Sequence, residues 1–219
     1  MKVDLTIPSE LKDIKLKDYQ KYMKVVELNQ DDHELLNVKA VEIFCHVKFK
    51  DVAGIKLSDF EDIIKTITNA LEQSNKWSQR FKLGDTEYGF IPKLDDITAG
   101  EYIDLSNNLN SIDTLHKAMA VMYRPITQKA QDMYLIEEYE GTERYADIMK
   151  EAPLDVVMGA NVFFYNLGKD LLNHTMNYLQ DQGQENIQVK RILQENGAGI
   201  KVFTQSLEGT YLDLEVSLN

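Results

Sequence analysis

The run LDVVMGANVFFYNLGKDLLNHTMNYLQDQ, from Leu154 to Gln182, constrains the fold more than any other part of the chain. Val157, Ala160, Phe164, Leu167, Leu171 and Tyr178 recur at steps of three, four or seven, the repeat that gathers side chains on one face of an α-helix. Pro153 precedes the run, where its missing N–H is harmless and its fixed φ suits a first turn. Gly183 follows as a C′ cap. At 1.5 Å per residue such a helix runs roughly 43 Å, enough to cross a small domain. The remaining segments must cover its apolar face.

Several of them carry helical periodicity of their own. Leu16, Tyr19, Met23 and Val26 predict an amphipathic helix over 16–28, closed by the polar residues Asn29 to Asp32. Leu35, Leu36, Val38, Ala40, Val41, Ile43, Phe44 and Val47 are apolar on too many sides for a surface helix, so a second helix is expected to be buried between neighbours. Ser58 and Glu61 have capping-box spacing and predict a third helix to about Gln73, with Phe60, Ile63, Ile64, Ile67 and Leu71 facing the core. Thr98 with Glu101 repeats that spacing. A further start near Ser111 leads into Ile112, Leu115, Ala118, Met119 and Met122, and Pro125 is expected to stop that helix. Thr142 is expected to cap a helix carrying Tyr145, Ile148 and Met149.

Strand signals are fewer. KVDLTI at 2–7 alternates like a half-buried strand before Pro8. QRFKLGDTEYGFIP alternates on either side of Gly84-Asp85, a two-residue connection that predicts a β-hairpin near 80–91. Met133 to Ile136 reads as a short strand. Past Gly183, residues 186–195 read as one more amphipathic helix, NGAG at 196–199 as a hinge, and 200–216 as one or two strands. The expected class is α+β and predominantly helical: a helix bundle around one long helix, with a hairpin and a C-terminal strand-containing arm. The expected division is a main domain at 1–183 and an arm at 184–219.

Composition narrows the function. With 43% hydrophobic and 27% charged residues in 219, the chain has the mixture of a folding domain. A net charge of −12 opposes nonspecific attraction to nucleic acid or to anionic membrane, so no direct nucleic-acid contact is expected. The single cysteine, Cys45, rules out an internal disulfide and fits a reducing compartment. No charged segment followed by an apolar run opens the sequence, so no secretory signal is expected. The most apolar uncharged run, Val156 to Gly168, has 13 residues, short of the roughly 20 that span a bilayer.

No motif for chemistry stands out. Glu137, Glu138, Glu140 and Glu143 could hold a hard cation, but their spacing matches no calcium loop and favours a solvated loop. Asp95, Asp96 and Asp104 are expected to serve turns and caps beside Pro92 and Thr98. His33, His46, His116 and His174 form neither an i, i+4 pair nor an HExxH frame. Cys45 and His46 are adjacent, which on a helix turns them about 100° apart, so Cys45 is expected to be a buried structural thiol. The glycines form neither GxGxxG nor a GxxxxGK loop. No catalytic residue, cofactor site or metal site is expected. Gly159 and Gly168 inside the long helix cost about 1 kcal/mol each relative to alanine, which predicts close approach of a neighbouring helix or the hairpin.

Phe163, Phe164, Tyr165 and Tyr178 could stack on bases, but they sit in an acidic chain at core spacing. Because Phe163 and Phe164 are adjacent, one can face the core while the other faces a partner. Together with Tyr165 and with Ile200, Val202, Phe203 and Tyr211 of the arm they form the expected partner-binding set.

RFKLGDTEYGFIPKLDDITAGEYIDL (80–105), HKAMAVMYRPI (116–126) and YLIEEYEGTERYADIMKEAPLDVVMGANVFFYNLGKDLL (134–172) resemble a group of poorly characterised structural and assembly-module proteins of tailed bacteriophages. The likeness covers about half the chain. The helices at 14–73 followed by a hairpin are more loosely similar to phage tail or baseplate assembly chaperones. The resemblance implies a non-enzymatic virion protein such as a connector, ring, tail or packaged cargo component. Its expected partners are other phage structural proteins, with a homo-oligomeric assembly among the arrangements allowed. Its expected location is the virion, and the bacterial host cytoplasm during assembly. The alternative is an assembly chaperone that leaves before the particle is complete; the sequence-complex arm after NGAG, which a chaperone would not need, favours the virion component.

Overall fold

A computed structural model of the 219-residue chain describes residues 5–73, 76–131, 133–164 and 166. In chain order the elements are α1 (Leu16–Leu28), α2 (His33–Phe44), the short α3 (Phe49–Val52), α4 (Leu57–Leu71), β1 (Arg80–Leu83), β2 (Thr86–Phe90), α5 (Ala99–Asn108), α6 (Leu115–Met122), β3 (Tyr123–Ala130), β4 (Met133–Ile136) and α7 (Glu143–Met149). The chain is helical again from 154 to 164, called α8. Among the described residues the class is α+β, with eight α-helices and one antiparallel four-stranded sheet in the order β1-β2-β3-β4.

The hairpin forms where expected. Leu83 pairs with Thr86 across Gly84-Asp85, and Gly84 takes φ +57°, a left-handed conformation that glycine enters without a Cβ penalty. β3 continues directly from α6 at Tyr123 and pairs with β2 through Tyr88–Pro125, Gly89–Arg124 and Phe90–Tyr123. This strand corrects the reading of Pro125 as a helix stop. α6 ends three residues earlier, and Pro125 sits inside β3, its carbonyl accepting from Glu137 N–H at 3.0 Å just ahead of an irregularity between Ile126 and Gln128. Such irregularities are where a sheet tolerates proline.

α6 is the central element: Leu115, Ala118, Met119, Ala120, Val121 and Met122 are all buried, as expected of a helix covered on every side. α8 is anchored at its start by a crossing with the segment before α1. Leu154 N–H donates to Ile14 C=O at 2.8 Å and Leu16 N–H to Ala152 C=O at 3.0 Å. Positions 156 to 161 of α8 are all buried, so its start is enclosed well beyond a single stripe. The rest of the predicted long helix, from 167 to Gln182, and the predicted arm lie outside the described residues, as does the expected domain boundary.

Two other expectations change. Residues 5–7 form no strand; Leu5 and Ile7 pack on the core individually, which satisfies the alternation without a ladder, and Pro8 is buried beside them. Residues 2–4 of that segment lie outside the described residues. Ser58 and Glu61 make no capping box, because α4 starts two residues earlier, with Lys56 rather than Ser58 at its N-cap, and Ser58 Oγ instead donates to Asp59. Thr98 and Glu101 do form the reciprocal box at α5.

Candidate partner-binding surface

Phe163 and Phe164 enter one aromatic cluster. Trp77 stacks on Phe163 with ring centroids 4.6 Å apart, and Phe90 lies 5.4 Å from Phe163 and 5.7 Å from Phe164. Phe164 is 4% exposed and Phe163 half-buried. Both rings pack α8 against β2 and the segment before β1, Phe164 nearly fully buried and Phe163 with part of its surface open. That segment approaches Gly159 closely: a Cβ there would lie 2.7 Å from Lys76 O and 3.1 Å from Trp77 Cα. The glycine is explained by close approach, from a loop rather than a helix. Tyr165, Ile200, Val202, Phe203 and Tyr211 lie outside the described residues, as does Gly168.

The opposite face of the sheet is built around Arg124, which is buried with Glu101 at 2.6 Å. Glu101 also accepts from Thr98 N–H at 2.8 Å and Thr98 Oγ1 at 2.7 Å, so a single carboxylate caps α5 and fastens it to β3. The Arg124 guanidinium lies 5.5 Å from the Tyr139 ring centroid, within cation–π range. Tyr139 donates its hydroxyl to Asp104, and Tyr145 donates to Glu137. Burial, and then these carboxylates, push both phenols up, Tyr145 to about 12, so each remains a protonated donor near neutrality. Next to Arg124, Gly89 lies under Tyr134, whose ring would meet any Cβ there and whose hydroxyl donates to Phe90 C=O at 2.9 Å.

The acidic residues seen in the sequence are mostly paired. Arg144 binds Glu140 at 2.6 Å and Glu137 at 3.2 Å, Lys117 binds Glu143 at 3.3 Å, and Lys93 lies 3.6 Å from Asp96. Asp95 falls in a 3-10 turn at Leu94–Asp96. Glu138 is exposed and makes no ion pair among the described residues, although Lys93 and Arg124 line the same groove. No group of three His, Cys, Asp or Glu among the described residues is placed to share a metal ion. Cys45 is buried, and desolvation pushes its thiol up to about 11; His46 turns away from it with φ 55° and lies 3.5 Å from Asp18. No helix among the described residues is long and apolar enough to cross a membrane.

An open groove of about 570 Å³ runs past this buried pair, with Thr98, Glu101, Arg124, Leu135, Glu138 and Tyr139 among its walls. Two elements also carry exposed apolar side chains. On β4, Met133 is 74% and Leu135 58% exposed, while on α5 Tyr102 and Ile103 are both more than half exposed. Residue reading missed all four. The available signal was the alternation in Met133–Ile136: it identified a strand, but only the sheet order shows that the strand lies at an edge and which two residues turn to solvent. Compared with protein-family models, with curated proteins and with solved structures, the chain matches none.

Proposed function

We propose that this protein is a non-enzymatic structural component of a bacteriophage virion, such as a connector, ring, tail or packaged cargo protein, that works by binding other phage proteins. The observation that carries the reading is the pair of exposed apolar side chains, Met133 and Leu135, on the edge strand β4. Exposed apolar side chains on an unpaired strand edge offer a template for another chain. The three stretches that resemble phage proteins, 80–105, 116–126 and 134–172, include the whole hairpin, most of α5 and of β4, and the described part of α8. Tyr102, Ile103 and Leu135 lie within those stretches, and Met133 is one residue outside them.

The testing experiment is quantitative mass spectrometry of purified particles. The expected result is a fixed number of copies per particle that survives stringent washing. Particles without the chain would overturn the reading. In that case, co-expression that keeps a tail protein soluble would assign the same apolar surface to a transient assembly chaperone.

A further inference from the structure

The two edges of the sheet are finished in opposite ways. β1 and β4 are both four residues long, so strand length shields neither edge more than the other. β1 turns Arg80 and Lys82 to solvent, the kind of charged edge that discourages a further strand. β4 has no charged residue from Met133 to Ile136 and exposes two apolar ones. Its backbone is also available. Glu137 N–H donates to Pro125 C=O at 3.0 Å and Leu135 C=O accepts from Thr127 Oγ1 at 3.3 Å, both on the β3 side. Peptide groups alternate along a strand, which leaves those of Tyr134 and Ile136 on the far side. Among the described residues no strand pairs there.

We infer that β4 takes an added strand from a partner protein: an extended segment that lays apolar side chains beside Met133 and Leu135 and sets a lysine or arginine against Glu138. The inference rests on the reading of the chain as a protein-binding virion component and names the kind of segment it binds. Strand addition takes affinity from main-chain hydrogen bonds and specificity from alternate side chains, both of which this edge offers. Charge selects the occupant. Glu137 and Glu140 already share Arg144, whereas Glu138, two residues past the strand, makes no ion pair among the described residues. A second copy would bring the same carboxylates and the same net charge of −12 to this edge, which like-charge repulsion opposes.

The test uses the full chain and a synthetic peptide of alternating valine and threonine flanked by lysines, with a glutamate-flanked version of the same core as control. The lysine-flanked peptide is expected to bind at least about tenfold more tightly, a free-energy difference readily resolved by titration. It is also expected to slow amide exchange at Tyr134 and Ile136. Leu135→Lys is expected to weaken binding by about tenfold or more, and Glu138→Lys to reverse the preference between the peptides. Both residues are exposed, so circular dichroism of each variant should match the parent. Equal binding of the two peptides, no binding, or protection on β1 instead of β4 would overturn the proposal. So would a dimer lost on Leu135→Lys, which would assign the edge to a second copy, and so would cross-links from residues 200–216 to β4 within one chain. Peptide binding is read on the isolated protein, so its outcome is separate from whether particles contain the chain.

Discussion

At the hairpin end of the sheet, Phe81, Tyr88 and Phe90 are buried against Tyr123, Trp77 and α8, whereas at the β4 end Met133 and Leu135 stand in solvent. The two ends belong to one ladder and use equally apolar side chains. They differ in what covers them. Aromatic residues of the hairpin meet rings from four other segments and contribute to stability; Met133 and Leu135 of β4 leave more than half of their surface in solvent and are free to contribute to association. Hydrophobicity of a strand residue therefore does not say whether it serves the fold or a partner, and its position in the sheet order does.

The largest effect is expected where the closed side is fastened by charge. Glu101→Ala would leave buried Arg124 without its carboxylate and remove the Thr98 cap, a loss of about 3–5 kcal/mol measurable as a shift in urea midpoint. Glu138→Ala, a carboxylate on the same groove but exposed, should change that midpoint little. Phe164→Ala should cost about 3–5 kcal/mol as well, since it empties a nearly fully buried site between α8 and Phe90. Gly159→Ala is expected to destabilise by about 1–3 kcal/mol, even though helix propensity alone favours alanine by about 1 kcal/mol. The new Cβ would meet backbone at Lys76, which cannot yield as a side chain tip can.

A pH-dependent effect should follow from His116, which faces Gln20 Nε2 at 3.1 Å. Burial, and then Lys150 and Lys117, hold its imidazole below the ordinary value. The unfolded chain takes up this proton near pH ~6.5 and the folded chain resists it, so stability is full above that value and falls as pH drops below it. Replacing His116 by asparagine should flatten that part of the stability profile. The smallest effects belong to the open end: Met133→Ala and Leu135→Ala should each stay within about 0.5 kcal/mol of the parent. A loss at Met133 as large as that at Phe164 would break the contrast between the ends.

Local signals made much of this fold legible. The helix predicted over 16–28 coincides with α1, because four apolar residues at regular spacing and a polar break leave little choice of boundary. Gly84-Asp85 located the hairpin and Thr98 with Glu101 the start of α5, since each is a short motif that carries its own hydrogen bonds. β3 was hidden for the opposite reason. YRPITQKA contains a proline and ends in residues that do not favour strands, and it is held by pairing to β2 and β4, which no local pattern records. The apolar edge was hidden by the same dependence on order. Phe163 and Phe164 were legible as a pair that one narrow stripe could not hold, but the second ring is covered by Trp77, some 86 residues earlier in the chain. Arg124 gave no signal at all: a lone arginine after a run of apolar residues reads as surface until Glu101 is placed beside it.

Residue-level hydrogen exchange on the free chain and on the chain in purified particles tests the central claim most directly, because strand addition slows the amides it pairs. The account predicts that Tyr134 and Ile136 exchange at least about tenfold more slowly in the particle, a change of roughly 1.4 kcal/mol or more in opening free energy, while Arg80 and Lys82 on β1 are unchanged. Equal exchange of Tyr134 and Ile136 in the two states, or protection that appears on β1 alone, would contradict it.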